Sequence, residues 1–386
     1  MNASSRAINI ADLRDLARRR LPRVVFDYLD GGAEDETTIA WNREAFGRWA
    51  LVPRILPGVA SIDLSTDLFG ERLGLPLIVG PTGLNGIFWP RADVLLARVA
   101  GAAGAAFTLS TASNSSLEDV AAAGPGVRWF QLYAWGERSL WARLLERAAA
   151  AGYRALVVTV DTLAIGKRER DLRNDFAHQV RYTAKVVLDG LRHPRWLLGV
   201  WLRGGVPRFE NWAEFAPKGA NARQLTALVR ARRSPDLSWD DLAWLRERWR
   251  GPFLIKGVLA AEDAKQAADM GADGVVVSNH GGRQLDGAIA TLDALVPIVD
   301  AAGDRLVVIL DGGVRRGADV LKALALGSRA VLLGRAPLYG VAAGGEPGAA
   351  RALAILRDEM ERAMLLMGCR NVPALSRAHV RERRPL

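Results

Sequence analysis

Short apolar runs recur along the chain, with amphipathic, helix-like stretches between them. They are Pro76–Val79, Ala106–Leu109, Trp129–Leu132, Ala155–Val158, Phe253–Ile255, Gly274–Val277, Leu306–Ile309 and Ala330–Leu333. Each is short and mostly apolar, as expected of a strand buried on both faces. Most intervals are about 20–30 residues, the length of a strand plus its crossover helix. Eight strands alternating with helices predict an α/β fold, a (β/α)8 TIM barrel. The interval from Val158 to Phe253 is far longer and predicts an insertion after strand 4, at about residues 177–235. Ile8 to about Val52 reads as a helical segment ahead of the barrel, with a helix stop at Tyr28-Leu29-Asp30-Gly31-Gly32-Ala33. Ala349–Met367 reads as an amphipathic helix able to cover the barrel. Neither end has the look of an independent unit, so residues 1–386 are expected to form one domain.

Chemistry-bearing residues cluster just past the strands. These ends carry Pro81-Thr82-Gly83, Ser110, Gln131 and Tyr133, Thr159 and Asp161, Lys256, Ser278 and His280, Asp311-Gly312-Gly313, and Gly334-Arg335. In this fold the C-terminal ends of the strands build the active site. The densest run is Ser278-Asn279-His280-Gly281-Gly282-Arg283-Gln284-Leu285-Asp286-Gly287. Its glycines let backbone come close to a ligand. Its histidine takes up a proton near neutral pH, and its arginine offers a two-pronged donor to a carboxylate. A base beside a carboxylate clamp suits proton removal from a small carboxylic acid.

Composition narrows the classes. Half of the 386 residues are apolar, which permits a large core. One cysteine, Cys369, excludes an intrachain disulfide and makes a reducing compartment the default. Met1 to Asp12 lacks the apolar centre of a secretory signal, and no run of about 18 apolar residues predicts a spanning helix. The net charge of +10 is compatible with anionic lipid, nucleic acid, an anionic substrate or simply a solvated arginine-rich surface.

Asp311-Gly312-Gly313-Val314-Arg315 follows the seventh strand and Gly334-Arg335 the eighth, where such barrels often bind phosphate. No G-x-G-x-x-G between a strand and a helix supports a nicotinamide cofactor, and no spacing of His and Cys predicts a metal site. For a redox reaction, flavin mononucleotide (FMN) is the better candidate. Its phosphate would sit on Gly312, Gly313, Arg315, Gly334 and Arg335. Lys256 would bring positive charge to the flavin N1–O2 edge, or else serves a structural ion pair. A phosphate-binding barrel without redox chemistry remains a separate reading.

Together these residues resemble the FMN-dependent (S)-2-hydroxy acid oxidases and dehydrogenases, over almost the whole chain from about Ile10 to beyond Cys369. Within that family, four runs resemble the membrane-bound members that act on (S)-mandelate. They are Gly80–Gly86, Leu109–Asn114, Arg168–Leu172 and Tyr182–Gly190. The resemblance implies that His280 is the catalytic base and Asp161 its partner. It implies that Arg168 and Arg283 clamp the substrate carboxylate, that Tyr28 supports the clamp, and that Tyr133 bonds the substrate hydroxyl or the developing carbonyl. Pro81, Thr82, Gly83, Ser110, Gln131, Thr159, Lys256 and Ser278 would line the flavin ring and ribityl chain. Hydride transfer is preferred over a carbanion route. The intact set of Tyr28, Tyr133, Asp161, Arg168, His280 and Arg283 argues against a binding protein that has lost catalysis, and no nucleic-acid partner is expected.

Departures from the family pattern refine the expectation. Leu163 and Ala164 stand where many members have Pro-Arg. Ala112 stands where short-chain oxidases often have Trp, which opens the pocket to an aromatic acid unless another side chain fills the space. Gly83 stands where many oxygen-using members have Ala, which favours a dehydrogenase that reduces a quinone or another carrier. The alternatives are an L-lactate dehydrogenase and an oxygen-using oxidase. In the insertion, Trp196 and Trp201 are interleaved with Leu and Arg over residues 190–203. This stretch is expected to touch the cytoplasmic face of the inner membrane peripherally, or else to be a lid or oligomer contact. The family suggests a homotetramer.

Overall fold

The computed structural model describes residues 3–56, 58–59, 61–176, 183–232 and 236–383. Eight parallel strands close into a barrel: β1 Leu77–Val79, β2 Ala106–Ser110, β3 Arg128–Leu132, β4 Ala155–Thr159, β5 Phe253–Val258, β6 Gly274–Val277, β7 Val307–Leu310 and β8 Ala330–Leu333. The closure joins β8 to β1, with Val331, Leu332 and Leu333 in register with Leu77, Ile78 and Val79. The predicted barrel is thus present, and its strands are buried along nearly their whole length.

Alternation along the strands splits the apolar residues into two cores. Ile78, Ala106, Trp129, Val157, Leu254, Val276, Ile309 and Leu332 fill the barrel interior. Their neighbours, such as Val79, Phe107, Phe130, Val158, Ile255 and Val277, face the surrounding helices. A hairpin of Thr66–Leu68 and Glu71–Leu73 closes the N-terminal mouth. Its Phe69 meets Trp129 edge-on, with ring centroids 5.9 Å apart. The C-terminal mouth is left open.

The N-terminal segment forms α1 Ile10–Arg20, α2 Arg23–Asp30 and α3 Thr37–Gly47. Asn9 caps α1 by accepting the Asp12 amide, and α2 stops at the expected place. The residue before α3, Glu36, gives no side-chain cap. Asp286, distant in sequence, accepts the Thr37 and Thr38 amides at 3.2 and 2.8 Å instead. The C-terminal helix is longer than expected: it runs Arg335–Met367, with a non-helical break at Gly344 and Gly345. The break lies against Trp89, which a Cβ on Gly345 would meet at 2.7 Å.

Between β4 and β5 the insertion includes helices Ala184–Leu191 and Ala222–Ala231, and helix Trp239–Arg248 leads from it back to β5. Its expected limits near 177 and 235 fall outside the described residues. Trp196 was expected at an outer interface, but it is buried and donates its ring N–H to the Ile87 carbonyl at 2.7 Å. Trp201 is half-buried and stacks on it at 6.0 Å. The outward face is instead Val187, Leu188, Leu191, Leu198, Leu202 and Val206, with Arg192, Arg195 and Arg203 also exposed. Indole N–H groups need a partner once buried, and Ile87 supplies one. Among the described residues no helix is long and apolar enough to cross a membrane.

Asp286→Ala should uncap α3 and cost about 1 kcal/mol. The expected result is a lowered midpoint of thermal unfolding; an unchanged midpoint would show that the cap carries no stability.

Candidate active site

β6 ends at Val277 and the chain then turns sharply. His280, Gly281 and Gly282 all have left-handed backbone, with φ of 58°, 65° and 74°. Glycine adopts this readily, whereas histidine does so at a cost that the surroundings must offset. They do so with several hydrogen bonds. Asn279 and Asn42 exchange side-chain amide bonds at 2.9 and 2.8 Å. Arg335 donates to the Gly281 carbonyl at 2.8 Å, and the His280 amide donates to Ser278 Oγ at 3.1 Å.

His280 Nδ1 lies 3.0 Å from Asp161 Oδ1. An ionised carboxylate fixes the Nδ1–H tautomer and leaves the Nε2 lone pair free. Burial would raise the Asp161 carboxyl, but His280 and Lys256 hold it below the usual carboxylate range. Burial also pushes His280 below 6.5, with Lys256 and Arg168 acting in the same sense and Asp161 against them. This favours the neutral imidazole.

Lys256 is buried at the end of β5. Its Nζ donates to Ser278 Oγ at 2.7 Å and pairs with Asp311 at 3.1 Å, while Ser278 Oγ donates to Asp311 at 2.9 Å. Burial alone would lower its pKa, but Asp311 and Asp161 outweigh it and raise it above 10.5. Near it, strand register sets Thr159 beside Lys256 and Ser110 beside Gln131. Ser110 donates to Gln131 Oε1 at 2.9 Å. Gln131 Nε2, Thr159 Oγ1 and Asp311 Oδ1 are buried without a partner among the described residues. Unmatched buried donors and acceptors are costly, and together at the barrel mouth they fit a ligand with its own polar ring edge and hydroxyls.

Two arginines face the same cleft. Arg283 donates to the Gly31 carbonyl at 2.6 Å and stands 5.1 Å above the Tyr28 ring. Arg168 donates to the Arg283 carbonyl at 3.4 Å. Burial, and then Arg283, lower its pKa to about 10. Two guanidiniums that disfavour one another leave a site for an anion. Burial pushes Tyr133 up to about 12, so its hydroxyl stays a donor at neutral pH.

At the far end, Gly313 must be glycine: its φ is 77°, and a Cβ would fall 2.1 Å from the Asn42 carbonyl oxygen. Gly334 caps the start of the C-terminal helix, whose amide end favours an anion. Arg315 donates to the Val314 carbonyl and lies 5.4 Å over the Tyr339 ring. Arg335 is turned to the carbonyls of Gly31 and Gly281, both at 2.8 Å, and braces two loops there.

One cleft is lined by Tyr28, Pro81, Thr82, Gly83, Tyr133, Arg168, Lys256, His280, Arg283, Asp311, Gly312, Gly313, Arg315, Gly334 and Arg335. Ser110, Gln131, Thr159, Asp161 and Ser278 lie behind it, joined through the contacts described above. Sequence reasoning missed Gln284, which donates to the carbonyls of Asp161 and Ala164, each at 2.8 Å, and accepts the Gly166 amide at 3.3 Å. It also missed Phe209 and Val229 of the insertion, which line the cleft. Gln284 could have been noticed within the His280 motif; nothing in the sequence singles out the other two.

Residues 17–382 match the family described as FMN-dependent dehydrogenase. The chain is 44% identical over 373 residues to (S)-mandelate dehydrogenase of Pseudomonas putida, covering 97% of this chain and 93% of that one. It is 45% identical over 374 residues to L-lactate dehydrogenase of Caulobacter vibrioides, covering 97% of each. It superposes on the crystal structure of the monotopic membrane protein (S)-mandelate dehydrogenase with a TM-score of 0.94, at 44% identity, over 98% of this chain and all of that one. The chain belongs to the FMN-dependent dehydrogenase family. Its cofactor is FMN and its chemistry is the oxidation of 2-hydroxy acids. The unpartnered polar atoms and the arginine–glycine end of the cleft fit that cofactor.

His280 should titrate with a midpoint below 6.5 by nuclear magnetic resonance, and Asp161→Asn should move the midpoint lower still, since the carboxylate favours the imidazolium. An upward movement would show that Asp161 does not act on it electrostatically.

Proposed function

We propose that this protein oxidises an (S)-2-hydroxy acid with an aromatic side chain, (S)-mandelate to benzoylformate, and passes the electrons to a membrane quinone. The observation that carries the reading is that the His280–Asp161 pair opens into the same cleft as Arg168 and Arg283. The two arginines hold the substrate carboxylate, with Tyr28 beneath Arg283. That fixes the α-carbon, an orientation effect. Tyr133 donates to the substrate hydroxyl and then to the carbonyl that forms. His280 takes the hydroxyl proton at Nε2, and Asp161 stabilises the imidazolium. Bound FMN supplies the acceptor for the hydride that leaves the α-carbon. Lys256, Gln131, Thr159, Ser110 and Ser278, with Pro81, Thr82 and Gly83, would hold its ring. Asp311, Gly312, Gly313, Arg315, Gly334 and Arg335 would hold its chain and phosphate.

An aromatic substrate is supported by a wall of small residues. Gly83 and Ala112 face each other so closely that a Cβ on Gly83 would lie 3.0 Å from Ala112 Cβ. Leu84, Phe88 and Trp135 complete an apolar lining. L-lactate is the second reading, because the lactate dehydrogenase relative is as similar as the mandelate one. The proposed assembly is a homotetramer of one-domain chains, peripheral to the cytoplasmic face of the inner membrane. The exposed leucines of the insertion, flanked by arginines, support that contact.

Mixed anaerobically with the FMN-loaded protein, (S)-mandelate should bleach the flavin faster than L-lactate, and air should reoxidise it slowly. Ala112→Trp should lower kcat/KM for mandelate relative to lactate by roughly 10–100-fold. A lactate preference in the wild type would overturn the substrate, and fast reoxidation by air would overturn the quinone.

Replacing Leu191, Leu198 and Leu202 together by Ser should move the protein from the membrane fraction to the supernatant without changing flavin reduction. Retention in the membrane fraction would refute this contact.

A further inference from the structure

We infer that the insertion reads the side chain of the substrate, through Phe209 and Val229. Both residues are distant in sequence from the barrel strands that flank them. Both are nonetheless buried, at 4% and 2% exposure, and both line the cleft that contains His280, Arg168 and Arg283. Their placement is fixed from two sides. Asn114, two residues beyond Ala112, donates its side-chain amide to the Arg208 carbonyl at 2.8 Å. Phe209 is thereby pinned beside the loop that carries Ala112. Asn211 holds the next turn by accepting the Leu117 amide at 2.9 Å.

Val229 rides on helix Ala222–Ala231, whose start is closed by reciprocal bonds between Asn221 and Gln224. The end of that helix rests on the turn after Trp135: a Cβ on Gly136 would lie 3.4 Å from Arg232 Cδ. Trp135 also lines the cleft, and its ring stacks on Tyr133 at 4.4 Å with the planes 3° apart. Tyr133 is the residue assigned to the substrate hydroxyl.

Neither Phe209 nor Val229 carries a group able to move a proton or bind a carboxylate. What they offer is apolar area on the same cleft that the small residue Ala112 lines. A methyl group would leave most of that area uncovered, whereas an aryl group would bury it and gain from the aromatic contact. This inference rests on the reading of the cleft as a 2-hydroxy acid site and adds what selects the side chain: a wall supplied by the insertion, suited to an aryl or other large apolar group.

The test uses the full-length, FMN-loaded protein, an artificial electron acceptor and (S)-2-hydroxy acids graded in size from L-lactate to beyond (S)-mandelate. In Val229→Phe the wall moves inward, so kcat/KM for mandelate should fall roughly 10-fold or more while that for lactate stays within about twofold. Val229→Ala moves it outward and should favour acids bulkier than mandelate, which keeps the test open if Val229→Phe does not fold. Affinity for benzoylformate, measured by calorimetry, should change in the same sense in each variant. Equal effects on every acid, or none, overturn the inference. A wild type that ranks lactate above mandelate removes the proposed substrate, yet supports the wall if the variants still reorder the series. A flavin that no hydroxy acid reduces overturns both.

Discussion

A buried ammonium held by one carboxylate organises the mouth of this barrel. Lys256 sits where burial alone would strip its proton, and Asp311 at 3.1 Å keeps it charged. Breaking such a pair on one side would cost about 3–5 kcal/mol, because it leaves the other charge stranded. Ser278 ties the pair to the chemistry. Its hydroxyl accepts from Lys256, donates to Asp311 and also accepts the His280 amide. The ion pair thus reaches the turn from which His280 projects. A left-handed histidine is tolerable there because its neighbours are bonded on both sides.

The electrostatics of the cleft follow from this frame. Lys256, Arg168, Arg283, Arg315 and Arg335 line it with Asp311, and Asp161 lies behind, so positive charge exceeds negative there, which suits an anionic ligand. Burial, with Lys256 and Arg168 acting in the same sense, lowers the His280 pKa and favours the neutral imidazole. The net charge of the chain is incidental to this; what matters is which cations are desolvated and what they face.

The His280 run has two jobs. His280 and Arg283 face the cleft, whereas Asn279 and Asp286 bind α3, and Gln284 ties down the loop that leads from Asp161 to Arg168. The insertion is divided in a similar way. Trp196 anchors it to Ile87, whose neighbours Leu84 and Phe88 line the cleft, while leucines on the other side stay exposed. One loop therefore carries both the inner wall and the attachment of the outer face.

The barrel was legible in the chain because a parallel strand buried on both faces must be apolar along its length, and eight such runs with crossover intervals permit few other folds. The main site residues were legible for a related reason: they follow those strands directly, so locating the strand locates the residue. The helix break at Gly344–Gly345, the inward turn of Trp196 and the alliance of Asn42 with Asn279 were not, since each depends on a partner far away in sequence. Phe209 and Val229 belong to the same class. Local pattern determines which segments are strands and helices, because that pattern is the period of the backbone itself. Which apolar side chain faces a ligand, a membrane or the core is decided only when distant segments close on one another, because burial is a property of the assembled surface.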